Sequence, residues 1–342
     1  MTLEEFLEEW NNASEQLLVH TSGSTGAPKP MLVEKRRMEA SAKMTCSFLG
    51  LKAGDTALLC LPLDYIAGKM MVVRALTCGL RLINVEPSGH PLSNDTGDLK
   101  GQTPCIDFAA MVPLQVWNSL QIPEERERLM QIRHLIIGGG AIDDALADVL
   151  VGFPNQVWST YGMTETLSHI ALRRLNGPEH SDWYTPFDGV RVSINTDGCL
   201  VIDAPMVHDG LLVTNDIAEL QPPSDETGGK SRFRILGRKD NVICSGGIKI
   251  QIEEVERTLR RRLSIPFLVT SAKDQRLGEQ VVLLTEQSDT DEVKAVCQEV
   301  LPKYWQPRHI VSVDRLPLTA TGKPARSEAR QLAAQLVKDC KR

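Results

Sequence analysis

Long apolar runs are what this 342-residue chain most clearly lacks. Its longest, such as 57–63, fall far short of the roughly 20 residues a membrane-spanning helix needs, so no span is expected. A charge excess is missing too: 38 basic against 44 acidic residues leave a net charge of −6, which gives no field to attract nucleic acid. A phosphate-bearing ligand therefore has to be caught by a local site. Eight cysteines are scattered without a Cys-x-x-Cys pair or histidines at zinc spacing, which reads as idle thiols in a reducing compartment. The opening "MTLEEFLEEW" is acidic and lacks the basic-then-apolar order of a secretory leader, so a cytoplasmic protein is expected. No internal repeat or low-complexity tract is found.

With 42% apolar residues, sizeable cores and two or three domains are expected. The first part alternates in period. Strand-like runs at 56–61, 81–86, 133–137 and 156–160 are separated by helical stretches at 67–78, 110–120 and 141–153, the second despite Pro113. Such alternation predicts a parallel sheet covered by helices. After Tyr161 come short strands at hairpin spacing, 190–194, 199–202, 210–214 and 232–236, with a turn at 195–198 and an exposed loop over 221–231. From Lys239 a small α+β pattern follows: helices over 253–263 and 291–301, strands near 267–270, 280–285 and 309–313, and a basic terminal helix. The expected boundary gives one domain over 1–238 and a second over 239–342.

The stretch "HTSGSTGAPKP" (20–30) poses the functional question. By composition it is either a Ser/Gly linker or an anion cradle. It fails the phosphate-loop template in which Lys-Ser/Thr directly follows a second glycine four residues after the first. It nonetheless holds the parts of a cradle: Gly23 and Gly26 let backbone N–H groups converge, Thr21, Ser22, Ser24 and Thr25 add hydroxyls, and Lys29 adds charge.

Four further stretches follow in order: "YGMTE" (161–165), "VTND" (213–216), "GRKDNVICSGG" (237–247) and "LPLTATGKPAR" (316–326). Together with 21–29 they resemble the motifs of the ANL superfamily of adenylate-forming enzymes. The resemblance implies an ANL-type α/β fold: an N-terminal domain of sheet layers with a small β-rich subdomain, and a small mobile α+β C-terminal domain. It also implies an AMP-forming acid–CoA ligase using ATP, Mg²⁺ and coenzyme A, with small-molecule partners and possible homodimer contacts. Only about 20 residues precede the phosphate loop, where most members carry a large N-terminal subdomain.

In the chemistry so implied, a carboxylate attacks the α-phosphate of ATP. Two anions must meet, so the protein screens charge and fixes geometry rather than supplying a nucleophile. By resemblance, Thr21, Ser22, Gly23, Ser24, Thr25, Gly26 and Lys29 hold phosphates. Gly138, Gly139, Gly140 and Ala141 lie along the adenine, at the carboxyl end of a strand where open parallel sheets place ligands. Tyr161, Gly162 and Thr164 line the nucleotide, Thr164 counting with Lys323 as catalytic, and Glu165 takes the metal, a hard oxygen ligand for Mg²⁺. Asp216 and Arg238 take the ribose, and Lys323 is the catalytic lysine of the swinging domain. Gly246 and Gly247 border the CoA path or simply form a turn. Departures are Pro30 and Asn215, both where glycine is usual, and Cys244, where lysine is common.

Within the family, "LPLDYIAGKMMVVRA" (61–75) and "YGMTETLSHIALR" (161–173) are similar to o-succinylbenzoate–CoA ligases. That similarity implies a two-carboxylate acid held by Arg74 and Ser168. Other aryl or medium-chain acids stay open, as does a non-catalytic nucleotide-binding module on the same scaffold.

Overall fold

A computed structural model describes residues 1–20, 30–93, 97–99, 105–140, 142, 144–224, 228–318 and 324–339. Helix α1 (Leu3–Asn11) is fixed by a capping box: Thr2 Oγ1 accepts from the Glu5 amide, and the Glu5 carboxylate accepts from the Thr2 amide. Strands β1 (Gln16–His20) and β2 (Pro30–Glu34) pair antiparallel, His20 opposite Pro30, and α2 (Lys35–Leu49) follows directly.

The main sheet is built from β3 (Thr56–Leu59), β4 (Arg81–Asn84), β5 (Phe108–Met111), β6 (His134–Ile137), β7 (Gln156–Gly162), β8 (His169–Arg174) and β9 (Thr185–Pro186). Its seven strands run in the order β4-β3-β5-β6-β7-β8-β9. The first five are parallel, as the alternating pattern predicts, and β8 and β9 add on antiparallel. Strands β3, β5 and β6 are buried at every position, the mark of a sheet covered on both faces. The connecting helices are α3 (Ile66–Cys78), α4 (Pro113–Leu120), α5 (Pro123–Gln131) and α6 (Asp144–Val151). The expected helix over 110–120 is therefore split. Residues through Met111 complete β5, and Pro113 begins α4 in the first turn, where a missing N–H costs nothing.

Strands β10 (Arg191–Ile194), β11 (Cys199–Asp203), β12 (Leu211–Gln221) and β13 (Arg232–Arg238) form an antiparallel sheet in sequence order, as expected, with β12 running on to residue 221. The last sheet contains the hairpin β14 (Val242–Ser245) and β15 (Ile248–Gln251), which the sequence reading leaves out, followed by α7 (Ile252–Arg260). Strands β16 (Phe267–Asp274) and β17 (Gly278–Thr285), helix α8 (Asp291–Val300), strand β18 (His309–Ser312) and helix α9 (Arg326–Asp339) complete it. Side chains alternate across this sheet. Val269, Val281 and Leu283 pack with α7 and α8, while Leu268, Val282 and Leu284 pack against Ala329 and Ala333 of α9. One large buried cluster runs from Phe6 to Phe233, and the two smaller ones begin at Ile243 and Leu268. Among the described residues no helix is long and apolar enough to cross a membrane.

Candidate active site

Gly138–Gly140 leave the carboxyl end of β6, and the Gly138 amide donates to the Met111 carbonyl at 3.1 Å, tying the run to the end of β5. The neighbouring β7 brings Tyr161 to the same edge. Its hydroxyl donates to Asp216 Oδ2 at 2.6 Å. Burial first, and then the Asp216 carboxylate, push the Tyr161 phenol well above its ordinary range, so it stays a donor. The β12–β13 register sets Asp216 opposite Arg238, whose Nη1 lies 3.6 Å from Asp216 Oδ1. The Asp216 amide is in turn held by Thr214 Oγ1 at 3.1 Å. The result is a fixed carboxylate with acceptor capacity left over, as recognition of a vicinal diol requires. Asn215 points elsewhere, donating to Asp240 Oδ2 at 3.1 Å.

Between β7 and β8 the chain makes a tight corner. A Cβ at Gly162 would overlap the Ser168 carbonyl and His169 Cα, so only glycine admits this approach of the two strands. A single 3-10 turn, Thr164–Thr166, follows. Thr166 Oγ1 accepts from the Met163 amide at 3.0 Å and donates to the Ser168 carbonyl at 2.7 Å. Leu167 then takes a φ of 63°, unusual for a residue with a branched side chain and costly unless its surroundings impose it. This corner buries Thr164 and leaves Glu165 exposed. No group of three or more His, Cys, Asp and Glu among the described residues could hold a metal alone. A single carboxylate fits a cation completed by phosphate oxygens, the usual arrangement for Mg²⁺.

Past the corner, Ser168 meets Arg74. The guanidinium projects from the buried face of α3 and is 2% exposed. Its Nη2 donates to Ser168 Oγ at 2.6 Å, Nη1 has the Met71 sulfur at 3.9 Å, and Phe108 lies beneath at 6.0 Å. Nε has no partner among the described residues, and no carboxylate pairs with the group there. Burial lowers the Arg74 pKa to about 10, leaving it charged at neutral pH. Two residues the sequence reading leaves unassigned join this cluster. His169 Nδ1 lies 3.2 Å from Ser168 Oγ, and His169 Nε2 lies 3.0 Å from Thr45 Oγ1 of α2. His169 stands within a quoted motif, whereas Thr45 is 124 residues away and carries no local signal.

The β7–β8 corner thus joins Tyr161, Asp216 and Arg238 on one side to Arg74 and Ser168 on the other. Thr21, Ser22, Gly23, Ser24, Thr25, Gly26, Lys29, Ala141 and Lys323 lie outside the described residues. Gly246 and Gly247 form the two-residue turn of β14–β15 with φ of 58° and 84°, and the Gly246 amide donates to the Leu277 carbonyl.

Residues 7–205 match the family described as AMP-binding enzyme, and residues 268–323 match the AMP-binding enzyme C-terminal domain. The chain belongs to this family of adenylate-forming enzymes and is an AMP-forming acid–CoA ligase. It is 32% identical to an acyl-CoA synthetase (AMP-forming)/AMP-acid ligase II-like protein from Dyadobacter fermentans, with a TM-score of 0.62. That match covers 96% of this chain and 93% of the other, so the two are of similar length. A 2-succinylbenzoate–CoA ligase of Bacillus cereus is 26% identical over 96% of this chain and 72% of its own. The O-succinylbenzoate coenzyme A synthetase of Bacillus subtilis, solved with ATP and magnesium, shares the fold. Its TM-score is 0.73 at 23% identity, over 91% of this chain and 69% of that one.

Proposed function

We propose that this ligase acts on 2-succinylbenzoate. In the first step the aliphatic carboxylate attacks the α-phosphorus of ATP and pyrophosphate leaves. In the second the thiol of coenzyme A attacks the acyl-adenylate carbonyl, AMP leaves, and 2-succinylbenzoyl-CoA is formed. Residues 21–29 and Lys29 carry the phosphates, Gly138–Gly140 with Ala141 flank the adenine, and Asp216 with Arg238 takes the ribose. Glu165 would hold Mg²⁺, which screens the phosphate charge when bound. Residues 239–342 form a lid domain hinged near 238, which brings Lys323 in for adenylation and sets Gly246 and Gly247 beside the thiol afterwards.

The observation that supports this choice of acid is Arg74. A buried guanidinium with an unpartnered Nε and no carboxylate is expensive unless an anion completes it. The acid has two carboxylates and only one is activated; the second, on the ring, suits a planar cation in an apolar wall. Names of relatives at 26% identity point the same way. Pyrophosphate release measured across aromatic, aliphatic and dicarboxylic acids, with and without coenzyme A, tests the reading. The highest kcat/KM is expected for 2-succinylbenzoate, with thioester only when CoA is present. Equal turnover of 4-oxo-4-phenylbutanoate, which lacks the ring carboxylate, would exclude it.

A further inference from the structure

The hydrogen bonds behind Arg74 form a row that one arrangement of protons satisfies throughout. The Arg74 guanidinium can only donate, so Ser168 Oγ accepts from it at 2.6 Å. In one tautomer Ser168 Oγ in turn donates to an unprotonated His169 Nδ1, at 3.2 Å. His169 Nε2 therefore carries the ring proton and donates to Thr45 Oγ1 at 3.0 Å. Thr45 spends its own proton on the Ser41 carbonyl at 3.2 Å. Every donor and acceptor in this row is matched by one tautomer, and a fully matched buried network holds its members in place.

The row is also dry. Thr45 is 0% exposed and His169 8%, with the imidazole edge-on to Phe187 at 5.5 Å. Burial, and then the charge of Arg74, push the His169 pKa well below the ordinary histidine value, so the ring stays neutral. Neutrality is what the geometry needs, because a second cation would repel Arg74 and turn Nδ1 into a donor.

We propose that His169 and Thr45 are positioning residues for acid recognition: by engaging the Ser168 proton they make Ser168 an oriented acceptor, which fixes one amino group of Arg74 and aims its remaining N–H donors at the substrate carboxylate. The proposal rests on the reading of Arg74 given above. Neither residue touches substrate. Each acts through the next, and the contact that links α2 to β8 sets the angle of a guanidinium on α3.

The test uses the full-length enzyme, pyrophosphate release, and two acids: 2-succinylbenzoate and 4-oxo-4-phenylbutanoate. His169→Leu should raise KM for 2-succinylbenzoate roughly 5- to 20-fold, the scale of one misplaced charge-assisted hydrogen bond, with KM for ATP unmoved. His169→Gln, whose amide can accept from Ser168 and donate to Thr45, should restore most of the loss. Thr45→Val keeps the shape and should move KM in the same direction by less, and it carries the test if His169→Leu fails to fold. Added to Arg74→Ala, His169→Leu should have little further effect, because coupled residues are not additive. For the analogue without a ring carboxylate, none of these changes should matter. An acid KM raised by Arg74→Ala but not by His169→Leu or Thr45→Val overturns the positioning role alone. So does a parallel rise in KM for ATP, or full additivity in the double variant. An acid KM indifferent to Arg74→Ala takes down the underlying reading of Arg74, and the positioning role with it.

Discussion

Arg326, at the start of α9, is half-buried, and Arg74, in the middle of α3, is buried; of the two, only Arg326 meets a carboxylate. Its Nη1 and Nη2 each lie 2.7 Å from an oxygen of Glu256, which is itself 4% exposed. The rest of the pair is satisfied by Val269: its carbonyl accepts from Arg326 at 3.0 Å, and its amide donates to Glu256 at 2.9 Å. Burial draws the Arg326 pKa down, but the hydrogen bonds and charge of Glu256 outweigh that, and the net movement is upward. For Arg74, burial stands without such an answer and the pKa falls to about 10. The first arginine is a completed joint between α7, β16 and α9. The second is a buried donor set with capacity to spare, which stability alone does not explain.

The comparison breaks most visibly if the completed pair is opened. Glu256→Gln leaves the half-buried Arg326 with one weak acceptor in place of a bidentate carboxylate. Removing one partner of a fully buried pair costs about 3–5 kcal/mol; with Arg326 23% exposed, urea unfolding at neutral pH should show a loss at the lower end of that range. A loss below about 1 kcal/mol would mean that Arg326 is served by solvent and that the contrast with Arg74 is false.

Arg74→Met should behave in the opposite way. With no carboxylate to orphan, replacing the cation by an apolar side chain should leave stability unchanged or raise it by about 1 kcal/mol. Function should fall: KM for 2-succinylbenzoate should rise by about 10- to 150-fold, for a lost charge-assisted contact of about 1.5–3 kcal/mol. Stabilisation of the protein by added acid should vanish as well. Destabilisation on the scale of Glu256→Gln, with acid binding intact, would make Arg74 a structural residue.

The two arginines were not equally legible in the sequence. The stretch "GKMMVVRALTCG" around Arg74 holds no acidic residue, so its isolation from carboxylates along the chain is visible in the letters, and α3 at Ile66–Cys78 follows the predicted 67–78 closely. Arg326 sits next to the "TGKP" motif, and nothing local announces a carboxylate 70 residues upstream. The same limit explains what else escaped. Strand β8 gives no strand signal, because "HIALRR" shows no alternation: it pairs with β7 through a corner that depends on Gly162. Gly246-Gly247 signals the β14–β15 hairpin, but the same pair of glycines suits a ligand path as well. Thr45 of α2 meets His169 of β8 across 124 residues of sequence, which is a matter of tertiary packing. Short apolar runs between turns gave β3, β4 and β6; contacts between distant elements left no periodic trace.

The smallest effect concerns protons on two buried histidines. His134 on β6 is 7% exposed with an unpartnered Nδ1. Burial first, and then Arg133 and Arg174, lower its pKa to about 4. His169 is lowered too, by burial and then by Arg74. Both folded values lie below the unfolded one, so the unfolded chain binds more protons as the pH drops, and folding stability falls with it. The contribution is complete above about pH 6.5 and, for His134, is lost as the pH falls toward 4. Between pH 7 and 5 the His134 share should be on the order of 1 kcal/mol after solvent screening is allowed for. His134→Leu should remove that share of the acid dependence. Arg74→Met should also flatten it, by a few tenths of a kcal/mol, because the charge pressing on His169 is gone. Glu256→Gln, in the joint without a histidine, should leave the slope between pH 7 and 5 as it was. Urea midpoints for the three variants and the parent at both pH values decide the matter. A slope untouched by His134→Leu would show that this ring is protonated in the fold after all, and that acid acts elsewhere.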